Sequence, residues 1–166
     1  MEEVRIVPTG EEHVEGFTAA VGAVARERRW IGMVDAMPLE ASREFVRATL
    51  VGGGVHLVAL AEGGAVVGWC DIHRNPREGF RHVGGVGMGL LPGYRGRGLG
   101  RGLLEAAIEA CWDAGMERIE LEVFASNARA IALYEKLGFV TEGVKRRARK
   151  LDGEYDDNVM MALLRE

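Results

Sequence analysis

The feature that most constrains the fold is a stretch rich in glycine and arginine, residues 90–100, which reads LLPGYRGRGLG. It follows an apolar run and precedes apolar residues at helical spacing, which predict a long amphipathic helix ending near Gly115. A glycine loop between a strand and a helix offers an anion free backbone amides and the positive end of the helix. Arg95, Arg97 and Arg101 add positive charge there. The stretch therefore predicts a phosphate-binding loop.

Two other phosphate-binding loops are excluded by the sequence. It contains no G-x-G-x-x-G, the dinucleotide fingerprint, and no Gly-Lys pair, which a P-loop requires. What remains is R-x-x-G-x-G, formed by Arg95, Gly98 and Gly100. Here the sequence resembles the GNAT superfamily, whose coenzyme A pyrophosphate motif reads Q/R-x-x-G-x-G/A between a strand and a helix.

A second stretch supports this resemblance. Residues 127–139, NARAIALYEKLGF, match the pattern N-x-x-A-x-x-x-Y-x-K-x-G-F found in the same superfamily. Asn127 and Tyr134 are seven residues apart, so on a helix they lie on nearly the same side. The resemblance implies that Asn127 helps to hold the cofactor arm and that the Tyr134 hydroxyl lies beside the thioester sulfur. Without the paired motifs, Tyr134 would be interpreted as a core residue beside Ile131 and Leu137.

The resemblance implies acetyl-CoA as cosubstrate, with no metal. The residues it assigns to cofactor binding are Leu90, Arg95, Gly96, Arg97, Gly98, Leu99, Gly100, Asn127 and Tyr134. A backbone amide near Leu90 is the expected oxyanion donor, on a strand bulge that admits the pantetheine arm. Glycines inside this strand suit a bulge or close ligand approach, although tight packing explains them equally well: Gly84, Gly85, Gly87 and Gly89.

The remaining catalytic roles follow from the chemistry of thioester aminolysis. A tyrosine can protonate a leaving thiolate, which makes Tyr134 the candidate acid. For the general base we prefer His82, with Asp71, a glutamate of the first helix and an ordered water chain as alternatives. Asp71 and His73 rank lower than His82. Substrate selection is expected between the first two helices, where Trp30 could wall a pocket and Arg29 could hold a carboxylate. A surface charge cluster beside a packed tryptophan explains the same two residues.

The order of the predicted strands and helices indicates a mixed α/β protein. The predicted order is β-α-α-β-β-β-α-β-α-β-β, and the GNAT fold implies a central, mostly antiparallel sheet of about seven strands flanked by about four helices. Predicted strands cover residues 4–7, 55–61, 65–73, 81–91, 119–124, 139–150 and 155–164. Predicted helices cover 11–29, 38–50, 99–115 and a short segment that begins at Ser126 or Asn127 and ends at Gly138. Thr9 is the expected cap of the first helix.

Length, composition and charge limit the possible number of domains, the binding partners and the location of the protein. With 166 residues, 48% of them hydrophobic and 28% charged, we expect a single domain over residues 1–166. A net charge of -4 disfavours nucleic-acid and membrane partners. The sequence contains no pattern typical of a signal peptide or of a membrane-spanning helix, so we expect a cytoplasmic protein. Cys70 and Cys111 are expected to be free and buried, and the four histidines fall into no metal-binding motif.

These observations predict transfer of the acetyl group of acetyl-CoA to a primary amine of a small molecule. The narrower likeness is to bacterial L-amino acid and small-amine acetyltransferases. Acetylation of a protein N-terminus or lysine is an alternative, as is a non-catalytic acyl-CoA sensor, although such a sensor would not need Tyr134. A homodimer is possible, because the C-terminal strands of such proteins commonly meet at an interface.

Overall fold

The computed structural model describes residues 2–166, and its strands form one seven-stranded sheet. The strands are β1 (Arg5–Pro8), β2 (Val55–Leu60), β3 (Val66–Arg74), β4 (Val83–Leu90), β5 (Arg118–Phe124), β6 (Val140–Leu151) and β7 (Glu154–Leu164). Their spatial order is β1-β2-β3-β4-β5-β7-β6. All neighbours are antiparallel except β4 and β5, which run parallel. The predicted mixed α/β class and the number of strands are confirmed.

Four α-helices cover the two faces of the sheet. They are α1 (Val14–Ala25), α2 (Leu39–Val51), α3 (Leu99–Asp113) and α4 (Ala128–Lys136). On one face, Phe17 of α1 packs in a buried cluster with Val58 and Trp69. On the other face, Leu103 and Leu104 of α3 are fully buried against the sheet. Cys70 and Cys111 are free and buried in that second cluster, as predicted.

The feature that positions the site is a gap between β4 and β5. The two strands pair only at their beginnings, where Val83–Gly85 face Arg118–Glu120. Beyond these residues both strands continue, β4 to Leu90 and β5 to Phe124, without pairing with each other. The sheet therefore opens into a V-shaped gap whose two edges carry backbone groups that have lost their strand partner.

Hydrogen bonding shows which backbone groups of β4 face this gap. Leu91 N donates to Val67 O at 2.9 Å, and Asn75 N donates to Val83 O at 2.9 Å, so odd-numbered residues of β4 bond to β3. Because backbone groups alternate sides along a strand, the N–H and C=O groups of Met88 and Leu90 point toward the gap. The register between β3 and β4 is unbroken, so the bulge expected in this strand is absent. The opening arises from divergence of β4 from β5 instead.

The start of the chain differs from the sequence-based expectation in one detail. A single 3₁₀ turn, Glu11–His13, precedes α1, and Gly10 occupies the capping position that was predicted for Thr9. The Thr9 hydroxyl is instead buried and bonds His56 Nδ1 at 2.7 Å. α1 also ends at Ala25, so residues 26–38 form a non-helical connection of turns and bends to α2, which we call the α1–α2 linker. No helix within residues 2–166 has the length and apolar character required to cross a bilayer.

Candidate active site

Two cavities meet at the gap between β4 and β5. The first, of about 670 Å³, extends from the glycine loop along α4. The second, of about 880 Å³, lies on the face covered by α1, α2 and their linker. Both cavities are lined by Ile31, Val86, Gly87, Met88, Leu121 and Glu122. Two molecules, one bound in each cavity, would therefore come into contact at the middle of β4.

The glycine loop forms one end of the first cavity. Gly96 and Gly98 have positive φ angles of 75° and 80°, a conformation that favours glycine, and Gly98 is the N-cap residue of α3. The first amide of this helix end to donate within the chain is that of Gly102, to Gly98 O at 3.1 Å. The preceding amides of the first helical turn have no such acceptor, as is usual at a helix start. The loop can therefore surround an anion with backbone donors.

The arginines near the loop differ in what they can contribute. Arg95 was predicted to bind the cofactor, but its Nε donates to Leu90 O at 2.9 Å and its Nη2 lies 2.6 Å from Glu27 Oε2. This ion pair holds the pKa of Glu27 below its ordinary value. Arg101 is paired with Glu105. The Arg95 side chain therefore joins the end of β4 to the α1–α2 linker, so its charge is already neutralised.

Among the described residues, two arginines near the loop form no ion pair with a carboxylate. Arg97, predicted as a cofactor residue, is exposed, and its guanidinium lies 5.1 Å from the centre of the Tyr94 ring. Arg129 lines the first cavity at the start of α4. Its Nη1 lies 3.8 Å from the position that a Cβ on Gly96 would occupy. Sequence reasoning missed Arg129, although it lies inside the second motif.

The two residues predicted on α4 are brought together on the wall of the first cavity. Asn127 caps the helix, because its Oδ1 accepts from Ala130 N at 3.2 Å. Tyr134 is buried, with its ring centre 5.7 Å from that of Phe139. Burial raises the pKa of Tyr134, so its hydroxyl keeps its proton far above neutral pH. Leu90 and Gly100 line the same cavity, whereas Gly96 and Gly98 belong to the adjoining loop and Leu99 is the first residue of α3.

Of the two residues predicted to bind the substrate, Trp30 lines a cavity and Arg29 does not. Trp30 lines the first cavity, with the Arg29 guanidinium 4.4 Å and the Arg95 guanidinium 5.7 Å from its ring centre. Arg29 itself is exposed and lines neither cavity. The expectation that Arg29 holds a substrate carboxylate is therefore not supported, because its guanidinium stacks on the indole.

His82, the preferred general base, is not at the site. It lies in the turn before β4, is exposed, and lines neither cavity. Its carbonyl accepts from Glu117 N and Arg118 N at the closed end of the gap. Met88 is six residues further along, which is about 20 Å at about 3.3 Å per residue. The assignment of His82 is corrected because the start of β4, where β4 and β5 still pair, is the wrong end of the strand.

The second cavity has a floor formed by β3 and β4. Trp69, Asp71 and His73 of β3 pair with Gly89, Gly87 and Gly85 of β4. A Cβ on Gly89 would lie 2.4 Å from the Trp69 ring and one on Gly87 would lie 3.1 Å from the Asp71 carboxylate, so side chains of β3 fill the space above these two glycines. The walls add apolar side chains, among them Ile31, Met33 and Met37 of the linker. No group of three or more His, Cys, Asp or Glu side chains in the described residues is placed to hold a metal ion.

Comparisons with known proteins agree with this geometry. The sequence model of the acetyltransferase (GNAT) family matches residues 24–139. The L-amino acid N-acetyltransferase AaaT of Escherichia coli is 35% identical over 111 residues, covering 66% of this chain and 68% of that protein. The [ribosomal protein bS18]-alanine N-acetyltransferase of E. coli is 44% identical over 72 residues, or 43% of this chain and 49% of that protein.

A solved structure extends the likeness over the whole fold. A GNAT-family acetyltransferase from Streptococcus pneumoniae superimposes with a TM-score of 0.91 at 27% identity, covering 98% of this chain and 100% of that one. The family match spans both motifs, the β4–β5 gap and the loop that opens α3. The chain therefore belongs to the acetyltransferase (GNAT) family.

Proposed function

We propose that this N-acetyltransferase transfers the acetyl group of acetyl-CoA to a primary amine of a small molecule, such as an amino acid or a related amine. In this scheme the glycine loop holds the pyrophosphate, with Arg97 and Arg129 as the cations free to approach it. The pantetheine arm lies in the first cavity. The acceptor lies in the second. Acetyl-CoA supplies an activated thioester, and the residues around the junction position and protonate the reacting atoms.

Two groups of the chain serve the acyl transfer directly. The N–H groups of Met88 and Leu90 face the gap without a strand partner, so either can donate to the oxyanion that forms when the amine attacks. Tyr134 supplies the proton to the leaving sulfur and regains one from the attacking nitrogen. Burial raises the pKa of Tyr134, which makes it a weaker acid. The same apolar surroundings also raise the pKa of the leaving thiol. The two effects offset each other, so Tyr134 can still protonate the sulfur.

The observation that carries the small-molecule proposal is the roofed second cavity. Its volume of about 880 Å³ is in the range of small-ligand pockets, which is roughly 300–1,000 Å³. The roof, the α1–α2 linker, is joined to the rest of the fold by two ion pairs: Glu27 to Arg95 at 2.6 Å and Arg28 to Asp152 at 2.8 Å. A linker tied down in this way favours a compact acceptor over a polypeptide. The similarity to the E. coli L-amino acid acetyltransferase supports the same class.

Acetylation of a protein N-terminus is the second candidate. It is favoured by the 44% identity to the ribosomal-protein alanine acetyltransferase, whose matched part covers 43% of this chain. The two proposals differ in the size of the acceptor that the second cavity admits. They are therefore separable by acceptor length alone.

The test is release of free coenzyme A thiol with acceptors of increasing size. We expect turnover with amino acids, polyamines or small amine antibiotics, and a fall in kcat/KM when alanine is extended into a peptide with N-terminal alanine. A rise in kcat/KM with peptide length would replace the small-molecule proposal with the protein N-terminus. Absence of turnover with every acceptor, while acetyl-CoA still binds, would favour the sensor.

A further inference from the structure

The second cavity contains a carboxylate that is not neutralised by a permanent cation. The carboxylates lining it are Asp71, Glu120, Glu122 and Glu142. Arg118 contacts Glu120 at 3.0 Å and Glu142 at 2.5 Å, and Lys145 contacts Glu122 at 2.5 Å. Asp71 has only His73 as an ionic partner among the described residues, with Nε2 lying 3.2 Å from Oδ1. Asp71 is thus the lining carboxylate free to accept a proton.

Asp71 lies at the point where the two cavities meet. It pairs directly with Gly87 of β4, which lines both cavities. Its two carboxylate oxygens are each 3.1 Å from the position that a Cβ on Gly87 would occupy. The Asp71 side chain is only 5% exposed, and the absence of a side chain at Gly87 leaves its carboxylate in the lining of the second cavity at the junction. An acceptor nitrogen that attacks an acetyl group there comes within reach of Asp71.

His73 connects Asp71 to solvent through a defined set of hydrogen bonds. Its Nδ1 lies 3.0 Å from Thr49 Oγ1, and the Thr49 hydroxyl donates to Phe45 O at 2.8 Å. A hydroxyl has one proton, so with this arrangement Nδ1 must be the donor to Thr49. The neutral ring then presents an unprotonated Nε2 to Asp71, and a proton that enters at Asp71 can be shared between them. The His73 side chain is 39% exposed, so that proton can continue to water.

The other histidine beside Asp71 does not compete for this role. His56 pairs with Asp71 from β2 and is almost completely buried, with Nδ1 bonded to the Thr9 hydroxyl. Burial lowers the pKa of His56, which keeps its ring neutral. The groups around Asp71 are therefore a neutral His56, the ion-paired glutamates of the cavity wall, and His73. Only His73 can both receive the proton from Asp71 and release it.

We infer that Asp71 is the general base of the reaction and that His73 is the residue that takes the proton onward. This rests on the proposed transfer to an amine. The acceptor enters as R–NH₃⁺ and one N–H bond breaks, the proton passing to a carboxylate oxygen of Asp71 and then to Nε2 of His73 and water. The freed electron pair on nitrogen then forms the C–N bond to the acetyl carbon, and the C–S bond breaks.

The kinetic test compares Asp71→Asn and His73→Gln with a matched control, His82→Gln, whose histidine precedes β4 but lines neither cavity. At pH 7 we expect Asp71→Asn to lower kcat/KM by about 10²-fold, the lower end for a general base, with KM for acetyl-CoA unchanged. The deficit should shrink as the pH rises toward 10, where solution supplies the neutral amine. His73→Gln should move the inflection of the profile, while His82→Gln should follow wild type. A deficit in Asp71→Asn that is constant from pH 6 to 10 would overturn the inference.

A second readout needs no turnover. In the ligand-free protein, nitrogen NMR of the histidine rings identifies which ring nitrogen of His73 carries the proton. We expect that nitrogen to be Nδ1 in the neutral ring, because the Thr49 hydroxyl donates to Phe45 O and can only accept from His73. A neutral ring with its proton on Nε2, the nitrogen that must receive the proton from Asp71, would overturn the inference. Failure of the proposed function is distinguishable, since it appears as absence of thiol release in wild type with every amine, whatever the NMR result.

Discussion

Replacing Gly98 by alanine tests whether the loop conformation itself binds the cofactor. Gly98 has φ 80° and ψ 0°, and a Cβ added there would meet no atom within 4 Å. The left-handed conformation costs a residue with a Cβ about 1–2 kcal/mol, and reduced freedom of the unfolded chain returns about 0.4–1 kcal/mol. We therefore expect a net loss of about 1 kcal/mol in unfolding free energy. For a chain of this size that lowers Tm by about 2–4 °C.

Gly63 provides a matched control. It has φ 84° and ψ -2°, also with no atom within 4 Å of an added Cβ, but it lies in the turn between β2 and β3. Gly63→Ala should cost the same stability and leave acetyl-CoA binding unchanged. Gly98→Ala should raise the calorimetric Kd at least about tenfold, because one charge-assisted hydrogen bond contributes about 1.5–3 kcal/mol. Equal affinities for the two variants would refute the assignment of this loop as the pyrophosphate site.

Two further predictions concern stability. Phe17→Ala removes a ring that is 1% exposed, so urea unfolding should show a loss of about 3–5 kcal/mol; a loss below about 1 kcal/mol would contradict the packing described. Arg95 lowers the pKa of Glu27 in the folded protein below its ordinary value of 4.5. The ion pair therefore stabilises the fold fully when the pH is above 4.5. This stabilisation is lost as the pH falls through the lower pKa that Glu27 has in the folded protein. Glu27→Gln should therefore cost about 1 kcal/mol at pH 7 and progressively less in acid, and an equal cost at pH 7 and pH 3 would be inconsistent with this ion pair.

The elements were predictable from the sequence because each is encoded locally. Period-two alternation marked β5, helical spacing marked α3, and Gly138, which has φ 96°, ended α4 as expected. The glycine loop was found because its backbone conformation requires glycine at fixed positions. Asn127 and Tyr134 reach one wall because their spacing matches a helix, which is also a local property.

The errors concern contacts between distant parts of the chain. The motif identified Arg95, which lines the first cavity, but its ion pair with Glu27 was not predicted, because Glu27 is 68 residues away and no local pattern reports that pairing. His82 and His73 looked alike in sequence, as histidines near strand ends, and only the parallel pairing of β4 with β5 shows which end of β4 opens. The predicted bulge failed for the same reason, since divergence of two strands is a property of the sheet. The homodimer remains a prediction.

The most direct test of the account is coenzyme A thiol release by Tyr134→Phe compared with wild type, at saturating acetyl-CoA and with the best small amine. Tyr155→Phe, which removes the hydroxyl of an exposed tyrosine in β7, is the control. The account predicts that Tyr134→Phe lowers kcat by about 10²–10⁴-fold with acetyl-CoA affinity retained, while Tyr155→Phe matches wild type. Wild-type turnover in Tyr134→Phe would contradict the role of Tyr134 as the acid. Failure of the wild-type protein to bind acetyl-CoA at all would contradict the account as a whole.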